Sequence, residues 1–555
     1  MLESEIERKI RSKMETCSDI GGALVSKPYY EQVHLIAETP DEQAKALGQF
    51  YTNSSVADKL AEGVASCLLK RGKILNEYAI VDPFCGDGRL ITHFLKICSK
   101  LNMFTGVHFK VKICDVSEEA VQAAYNSIDA IAKELHINVD IEANSVDSYV
   151  YYKDVKNSYD ICLTNPPWGL LKPLKKVTEH CSETEAATYK DTMRAYANYM
   201  ASEFAIAKST RNFGDLGINF ARCGWIVALE LLKKEGMCGI VSPASIFTDH
   251  ISSEFRKWLF EHYNVFSVEY FPAEMKLYGK ADISSITAIV EQGTTSEVAI
   301  TKNLTNKCLA TYQYSKSEWS YIKAKDYVLP LTLTNSMLRV LQRMESLETL
   351  DAFSRNNKLK FVRELDETRV TEKLKSTGTI RFLKGHMVSR YKADVQELYL
   401  NQDVYPAPVS CSRPKLVWRD VSRSSQLRRM QATFIGGNTI AGNSLGVLSS
   451  ENGNEMLLKC LLGILNSWVA EFFVRPQLVT NHISSGVLKT LKLPKVFCSN
   501  ALLNMVEQQL HGKDVQSKID AHVAKLYSLT KEEYVGILEE MEVSRAYREE
   551  IVKAW

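Results

Sequence analysis

From Gly48 to about Val290 the chain repeats one unit, a short apolar run followed by a stretch of helical period. "YAIVDPF" precedes "GRLITHFLKICSK", "FKVKICDV" precedes "SEEAVQAAYNSIDAIAKEL", and "YDICLTNPP" precedes a long polar insertion. Later come "GINFARCGWIVALELLKKEG", "MCGIVSPASIF", "SEFRKWLFEHYN", "VFSVEYF" and "ISSITAIVEQG". Parallel strands need a long crossover between them, usually a helix. The alternation therefore predicts an α/β fold, a mostly parallel sheet with helices on both faces. Ligands of such sheets bind beyond the carboxyl ends of the strands. "VDPFCGDG" and "LTNPPW" both fall at ends of that kind.

A length of 555 residues exceeds one ordinary core. Residues 1–45 read as helix, loop and helix, 46–335 as the alternating domain, 336–500 as a mixed α+β domain, and 501–555 as a helical tail. Residues 291–335 are polar and strand-like, and read as a connection. Between about 450 and 475 lies one apolar helix, "EMLLKCLLGILNSWVAEFFV", better suited to packing than to recognition. A net charge of +2 favours no class of partner, so any basic surface must be local. The 13 cysteines form no CxxC pair, which argues against a zinc site or a disulfide framework and for a reducing setting. "MLESEIERKIRSKMETC" lacks the apolar stretch of a signal peptide, and no run is long enough to span a bilayer. A cytoplasmic protein with no membrane association and no bound metal is expected.

"VDPFCGDGRL" is a strand entering a glycine-bearing turn and then a helix. Gly86 and Gly88 let the backbone turn tightly and approach a ligand; a bare structural turn is the alternative. Asp115 ends the next strand, about 30 residues on, where a carboxylate can accept both hydroxyls of a ribose. It could equally cap the helix that starts at "SEEA". The GxGxxG spacing of a nicotinamide site is missing.

"DPFCGDG", the acidic strand end at Asp115 and "NPPW", in that order, resemble S-adenosylmethionine-dependent amino-methyltransferases. "LGQFYTNSSVADKLAEGV" resembles the FYTP-type segment that precedes the glycine turn in N6-adenine DNA methyltransferases of the gamma order, with Asn53 in place of the usual proline. The resemblance implies a doubly wound, Rossmann-like catalytic domain over 46–335. It implies that Phe50, Tyr51 and Thr52 lie over the methionine part of the cofactor, that Asp82 faces its amino group beside Pro83 and Phe84, and that Asp115 faces its ribose. For the acidic residue usually found after the third strand, Asn144 is the expected occupant, with Asp147 as the alternative.

An exocyclic amine on adenine is a poor nucleophile because its lone pair is delocalised into the ring. The Asn165 side-chain oxygen and the Pro166 carbonyl can each accept one of its N–H bonds, favouring a more tetrahedral nitrogen aimed at the sulfonium methyl. Pro166 and Pro167 fix the backbone for this task. Trp168 offers a face for stacking, worth on the order of 1–3 kcal/mol per base. Related motifs occur in enzymes that methylate protein glutamine amides or RNA bases. Within "FPAEMKLYGKADISSITAIV", Tyr278 matches the family's aromatic residue that packs on the flipped base; a surface loop tyrosine is the plain alternative.

"RFLKGHMVSRY", "RPKLVWRDVS", "GNTIAGNSLGVLS", "LLGILNSWVAEFFV" and "VLKTLKLPKV" follow in the order of the TaqI-like target-recognition domain. Between Arg381 and Met430 there are ten Lys/Arg against four Asp/Glu. Arg413, Lys415, Arg419, Arg423, Arg428 and Arg429 are candidates for phosphate or guanine contacts, against the alternative of a solvated basic face. The expectation is a monomeric N6-adenine methyltransferase acting on double-stranded DNA in a restriction–modification system, with a separate cognate restriction endonuclease. A modification subunit of a multisubunit restriction complex, an RNA or protein-amide methyltransferase, and a non-enzymatic DNA-binding module are the rivals.

Overall fold

The computed structural model describes residues 20–102, 104–173, 178–208, 218–249, 251–279, 283–303, 309–314, 316–366, 374–394, 396–423, 426–478 and 482–555. The chain divides into two compact units, Met1–Leu331 and Thr332–Trp555.

The first unit carries strands β1 (Glu77–Asp82), β2 (His108–Asp115), β3 (Asn138–Ser145), β4 (Tyr159–Thr164), β5 (Leu232–Pro243), β6 (Tyr263–Phe271), β7 (Ser285–Gln292), β8 (Val298–Asn303) and β9 (Leu309–Tyr314). They form one sheet in the order β3-β2-β1-β4-β5-β7-β6-β8-β9. The first five in that order are parallel neighbours, whereas β7 runs antiparallel to both β5 and β6. This is the mostly parallel α/β sheet that the alternation predicted, Rossmann-like as the resemblance implied. Central strands such as β4 are buried along most of their length, which is why they carry continuous apolar stretches such as "ICL". At the edge, β3 has almost no buried residue and alternates polar with apolar. Strand order reverses between β1 and β4, and the crevice outside that switch point is where such sheets bind ligands.

Four helices matter for the site. They are α1 (Ile20–Ile36), α2 (Pro40–Leu47), α3 (Ser54–Lys70) and α4 (Arg89–Lys100). Three more follow: α5 (Glu118–Glu134), the short α6 (Ser148–Tyr151) and α7 (Glu183–Glu203). The polar insertion after "NPPW" thus contains a regular helix, started by a full capping box between Ser182 and Glu185. Its buried tyrosines pack on α1, with Tyr29 stacked on Tyr196 at 5.2 Å. Residues 291–335 are more than a connection: β8 and β9 extend the sheet, because "VAITKN" places Val298 and Ile300 on a buried face.

In the second unit, Leu359–Val362, Leu445–Ser450, Lys415–Arg419 and Ala432–Ile435 make an antiparallel sheet in that order. Leu374–Lys375, Tyr399–Leu400, Arg381–Leu383 and Thr439–Ala441 make a second. Gly446 pairs with Trp418, and a Cβ there would fall 2.0 Å from the indole. Only glycine lets that ring lie across the neighbouring strand. The apolar helix expected between 450 and 475 is instead two helices, Glu455–Leu465 and Trp468–Val474, bent by 69°. Asn466 and Ser467 break it by turning their side chains to backbone groups. The Asn466 amide bonds both the N–H and the carbonyl of Ala432, and Ser467 caps the second helix. Among the described residues no single helix is long and apolar enough to cross a membrane. The tail comprises Asn500–Leu510, Gln516–Leu526, Lys531–Glu540 and Arg545–Ala554, and shares one core with Trp418 and the two apolar helices.

Candidate active site

Asp82 and Asp115 end β1 and β2 on the same face, since Asp82 pairs with Ile113, two residues before Asp115. The turn between β1 and α4 has both glycines in left-handed backbone, Gly86 at φ +48° and Gly88 at φ +75°. A Cβ on Gly88 would sit 2.9 Å from the backbone of Ala124 in α5, so glycine is required there for close helix packing. Gly86 N donates to Asp115 Oδ2 at 3.1 Å and Ser117 N to Oδ1 at 3.0 Å. Ser117, not Asp115, is the N-cap of α5, its hydroxyl accepting from Ala120 N. Asp82 Oδ1 accepts from Phe84 N at 3.1 Å and from the Thr164 hydroxyl at 2.8 Å. Burial pushes the Asp82 carboxyl up to about 7, and the negative charges of Asp115 and Asp87 add to the effect. Burial also raises Asp115, against the opposing pull of its backbone donors. Pro83 O accepts from the Ser148 hydroxyl at 2.5 Å, and the Phe84 ring packs on Tyr149. A buried carboxylate held only by neutral donors suits a ligand bearing a cation; a second one beside a glycine turn suits a diol.

The segment between α2 and α3 lies against this turn. The exposed Tyr51 ring comes within 3.6 Å of where a Gly86 Cβ would stand. Asn165, just past β4, donates through Nδ2 to the Phe50 carbonyl at 2.8 Å and to the Thr52 hydroxyl at 3.0 Å. A carbonyl can only accept, so the amide orientation is fixed. Asn165 Oδ1 is then left buried with no hydrogen-bond partner. Such an orphan acceptor costs about 1–3 kcal/mol, and orphans in native structures are rare enough to call for an explanation. Pro166 is buried against Gly224, where a Cβ would overlap the proline ring at 2.1 Å; Pro167 is half-buried.

Trp168 is only 3% exposed. Its ring stacks on Phe50 at 5.0 Å and meets Tyr278 edge-on at 4.7 Å. Phe50 and Tyr278 are 6.2 Å apart and nearly perpendicular. Tyr278 is therefore part of a buried aromatic box and not a surface loop tyrosine. The three rings fill the box among themselves, so a base entering it has to part them. Sequence reasoning missed Gly48, which anchors the turn: its carbonyl accepts from Trp168 N at 2.7 Å, and a Cβ on it would stand 2.1 Å from Trp168 O. Its position just before "QFYT" was the available signal. Thr164, the partner of Asp82, was missed as well, and nothing in the sequence marks it.

The expectation for Asn144 needs correction. It pairs with Cys114 and so faces the opposite side of the sheet from Asp115, where its oxygen accepts from Lys112 Nζ at 2.7 Å. Asp147, the alternative, lies past the strand end as the N-cap of α6. It accepts from the Tyr196 hydroxyl at 2.9 Å, and burial pushes it up to about 6.

In the second unit three of the six basic candidates point inward. Lys415 and Glu364 form an ion pair at 2.6 Å with both side chains 0% exposed, and Lys415 Nζ also donates to Thr439 O. Arg428 donates to Asp520 and to Asn466 O and lies 3.8 Å over the Trp468 ring. Arg429 is buried and donates to Ser422 O. None of these three is offered to a phosphate, because each guanidinium or ammonium is already spent on a protein acceptor. Arg419 holds the carbonyls of Val388 and His386, and Arg413 pairs with Glu451 at 3.6 Å. Arg423 is exposed.

No protein-family model matches the chain, and no curated protein matches it. Among solved structures, the type IIL restriction-modification enzyme MmeI in complex with DNA is similar at 11% identity and a TM-score of 0.54, over 97% of this chain and 78% of that one. The type IIG restriction endonuclease BpuSI is similar at 11% identity and a TM-score of 0.44, over 93% and 67%. The ATP-dependent type ISP restriction-modification enzyme LlaBIII bound to DNA gives 10% identity and a TM-score of 0.48, over 85% and 39%. This chain thus spans well under half of LlaBIII. The likeness to MmeI establishes a shared fold.

Proposed function

We propose that this chain is a site-specific adenine N6-methyltransferase acting on duplex DNA in a restriction–modification system. The observation that carries the reading is Asn165, whose amide hydrogens are both occupied and whose buried oxygen is held empty-handed beside an aromatic box. An acceptor so placed asks for an N–H donor on a flat ring. Asp82, Asp115 and the turn at Gly86 and Gly88 fit S-adenosylmethionine, with its ammonium and its ribose diol. When bound, that cofactor supplies an electrophilic methyl on a sulfonium.

The chain's own part is positioning and polarisation. Asn165 Oδ1 accepts one N–H of the target amine, and the Pro166 carbonyl is the candidate for the other. Trp168 and Tyr278 hold the ring; Phe50, expected over the methionine part of the cofactor, joins them because its ring stacks on Trp168. An amine inside a duplex is out of reach, so the adenine is flipped from the stack. Arg423 supplies an outward cation for the phosphate backbone, and Arg413 and Arg419 keep partial exposure beside their protein partners.

The test is methyl transfer from labelled cofactor to duplex DNA by the purified chain. Asn165→Ala should lower the rate on the order of 10²–10³-fold with cofactor affinity largely kept. A full-rate variant would sink the reading. Offering duplex DNA, structured RNA and protein acceptors in competition separates the substrate classes, and single-molecule sequencing of the modified DNA identifies the base.

A further inference from the structure

Arg89, the first residue of α4, stands outside every role given so far. Its Nη2 donates to Asp87 Oδ2 at 2.7 Å, inside the glycine turn. Its Nη1 donates to the Thr52 carbonyl at 2.6 Å. Thr52 is buried, and its hydroxyl accepts from Asn165 Nδ2. One guanidinium thus clasps the turn that would seat the methyl donor and the segment that orients the acceptor amide. The fork geometry of arginine suits two acceptors at once, which a lysine could not serve with the same fixed angle.

We propose that Arg89 is a positioning residue for methyl transfer, acting through Thr52 and Phe50 on the aim of Asn165. The inference rests on the role given to Asn165 above. Its physical basis is the asymmetry of the amide's two anchors. The Thr52 hydroxyl can donate or accept, so alone it would tolerate a flipped amide. The Phe50 carbonyl cannot, and it dictates the orientation only while the segment 50–52 stays in place. Arg89 hydrogen-bonds that segment to the turn, beside the packing of the Tyr51 ring over Gly86. Without it the segment can drift, and the Asn165 oxygen loses its fixed direction while remaining in the site.

The expected signature is a loss of turnover with little loss of binding. In Arg89→Ala, kcat for duplex DNA should fall about ten- to hundredfold, the range that a misplacement near 1 Å produces, with KM for DNA within about twofold. Thr52→Val keeps the carbonyl that Arg89 holds and removes only the hydroxyl that Asn165 bonds. It should lower kcat by less, the Phe50 carbonyl still orienting the amide, and Thr52→Ser should restore it. The double variant Arg89→Ala/Thr52→Val should be no worse than the weaker single one, because both break one chain of contacts. Independent, multiplying losses would overturn the proposal, as would a wild-type kcat in Arg89→Ala. If Arg89→Ala does not fold, Arg89→Lys, which keeps the charge and one bond, replaces it in the same cycle and must show an intermediate kcat; a wild-type value overturns the proposal. The two readings fail separately. An active Asn165→Ala sinks the assigned chemistry, whereas an inactive Asn165→Ala beside a fully active Arg89→Ala sinks only the relay.

Discussion

The carboxyl edge of the first unit and the basic stretch of the second treat buried polar groups in opposite ways. At the edge, Asp82 is buried among neutral donors with negative neighbours, and the Asn165 oxygen is buried with no partner. In the basic stretch, Lys415 meets Glu364 and a carbonyl, and Arg428 meets Asp520, a carbonyl and an indole. Folding stability explains the second pattern and cannot explain the first, since an unsatisfied polar atom only costs free energy. Trp468 Nε1 in the second unit is buried without a partner as well, so an unbonded atom points to a ligand site only where, as at Asn165, other candidate groups gather at the same strand ends. By the same measure, a cluster of cations that the protein has already satisfied is architecture.

The sharpest break of this comparison is at Lys415. Substituting Lys415→Ala strands the Glu364 carboxylate in the core, and removal of one partner of a buried pair typically costs about 3–5 kcal/mol. Urea denaturation should show that loss as a lower midpoint. Under conditions where the variant is folded, its affinity for duplex DNA should match the parent's, because the ammonium never reached the surface. A selective loss of DNA binding without a loss of stability would make Lys415 functional and erase the contrast.

Next in size is the pH response at Asp82. In the unfolded chain an aspartate ionises near about 3.9, and in the folded protein burial lifts this one to about 7. Between those values the folded state holds the extra proton. The contribution of this group to stability therefore falls as pH rises through that window. An ammonium ligand reverses the preference, since it needs the ionised carboxylate. Cofactor affinity should rise with pH, by at most about tenfold per unit, and level off above about 7. Calorimetric titration from pH 6 to 8 measures it, and Asp82→Asn should bind more weakly and lose most of the slope. An unchanged slope in that variant would place the titrating group elsewhere.

How much of this was legible without coordinates follows from what each feature depends on. The sheet was legible because a parallel strand buried on both faces has to carry an apolar run, as "ICL" does within "YDICLT", and because the crossovers advertise their helical period. Asp82, Asp115, the two glycines and "NPPW" were legible because each sits at a strand end, where chain order alone delivers it to the edge. What failed depends on facing and pairing. Asn144 and Asp115 sit one register step apart, and one step in a strand turns a side chain to the other face. The break at Asn466 was invisible because those side chains look like ordinary helix surface until Ala432 is brought beside them. The direction of Lys415 and Arg428 was invisible for the same reason: Glu364 and Asp520 lie 51 and 92 residues from the cations they satisfy.

Arg423 sharpens the comparison with the smallest expected effect. It is the one member of the six candidates that is exposed, and in a protein that binds duplex DNA it is free to neutralise a phosphate. Each neutralised phosphate releases condensed counterions, so the logarithm of affinity falls with the logarithm of salt concentration by roughly 0.9 per contact. Arg423→Ala should flatten that slope by about one unit and weaken binding nearly evenly across sequences. It should leave the urea midpoint unchanged, since no buried group loses a partner. Arg428→Ala should do the converse, lowering the midpoint by stranding Asp520 while the salt slope stays put. Fluorescence anisotropy at several salt concentrations, run on both variants, tells the two kinds of arginine apart. Were Arg428→Ala to flatten the slope and Arg423→Ala to leave it, burial would have misjudged which cations face the nucleic acid, and the contrast between the two units would no longer hold.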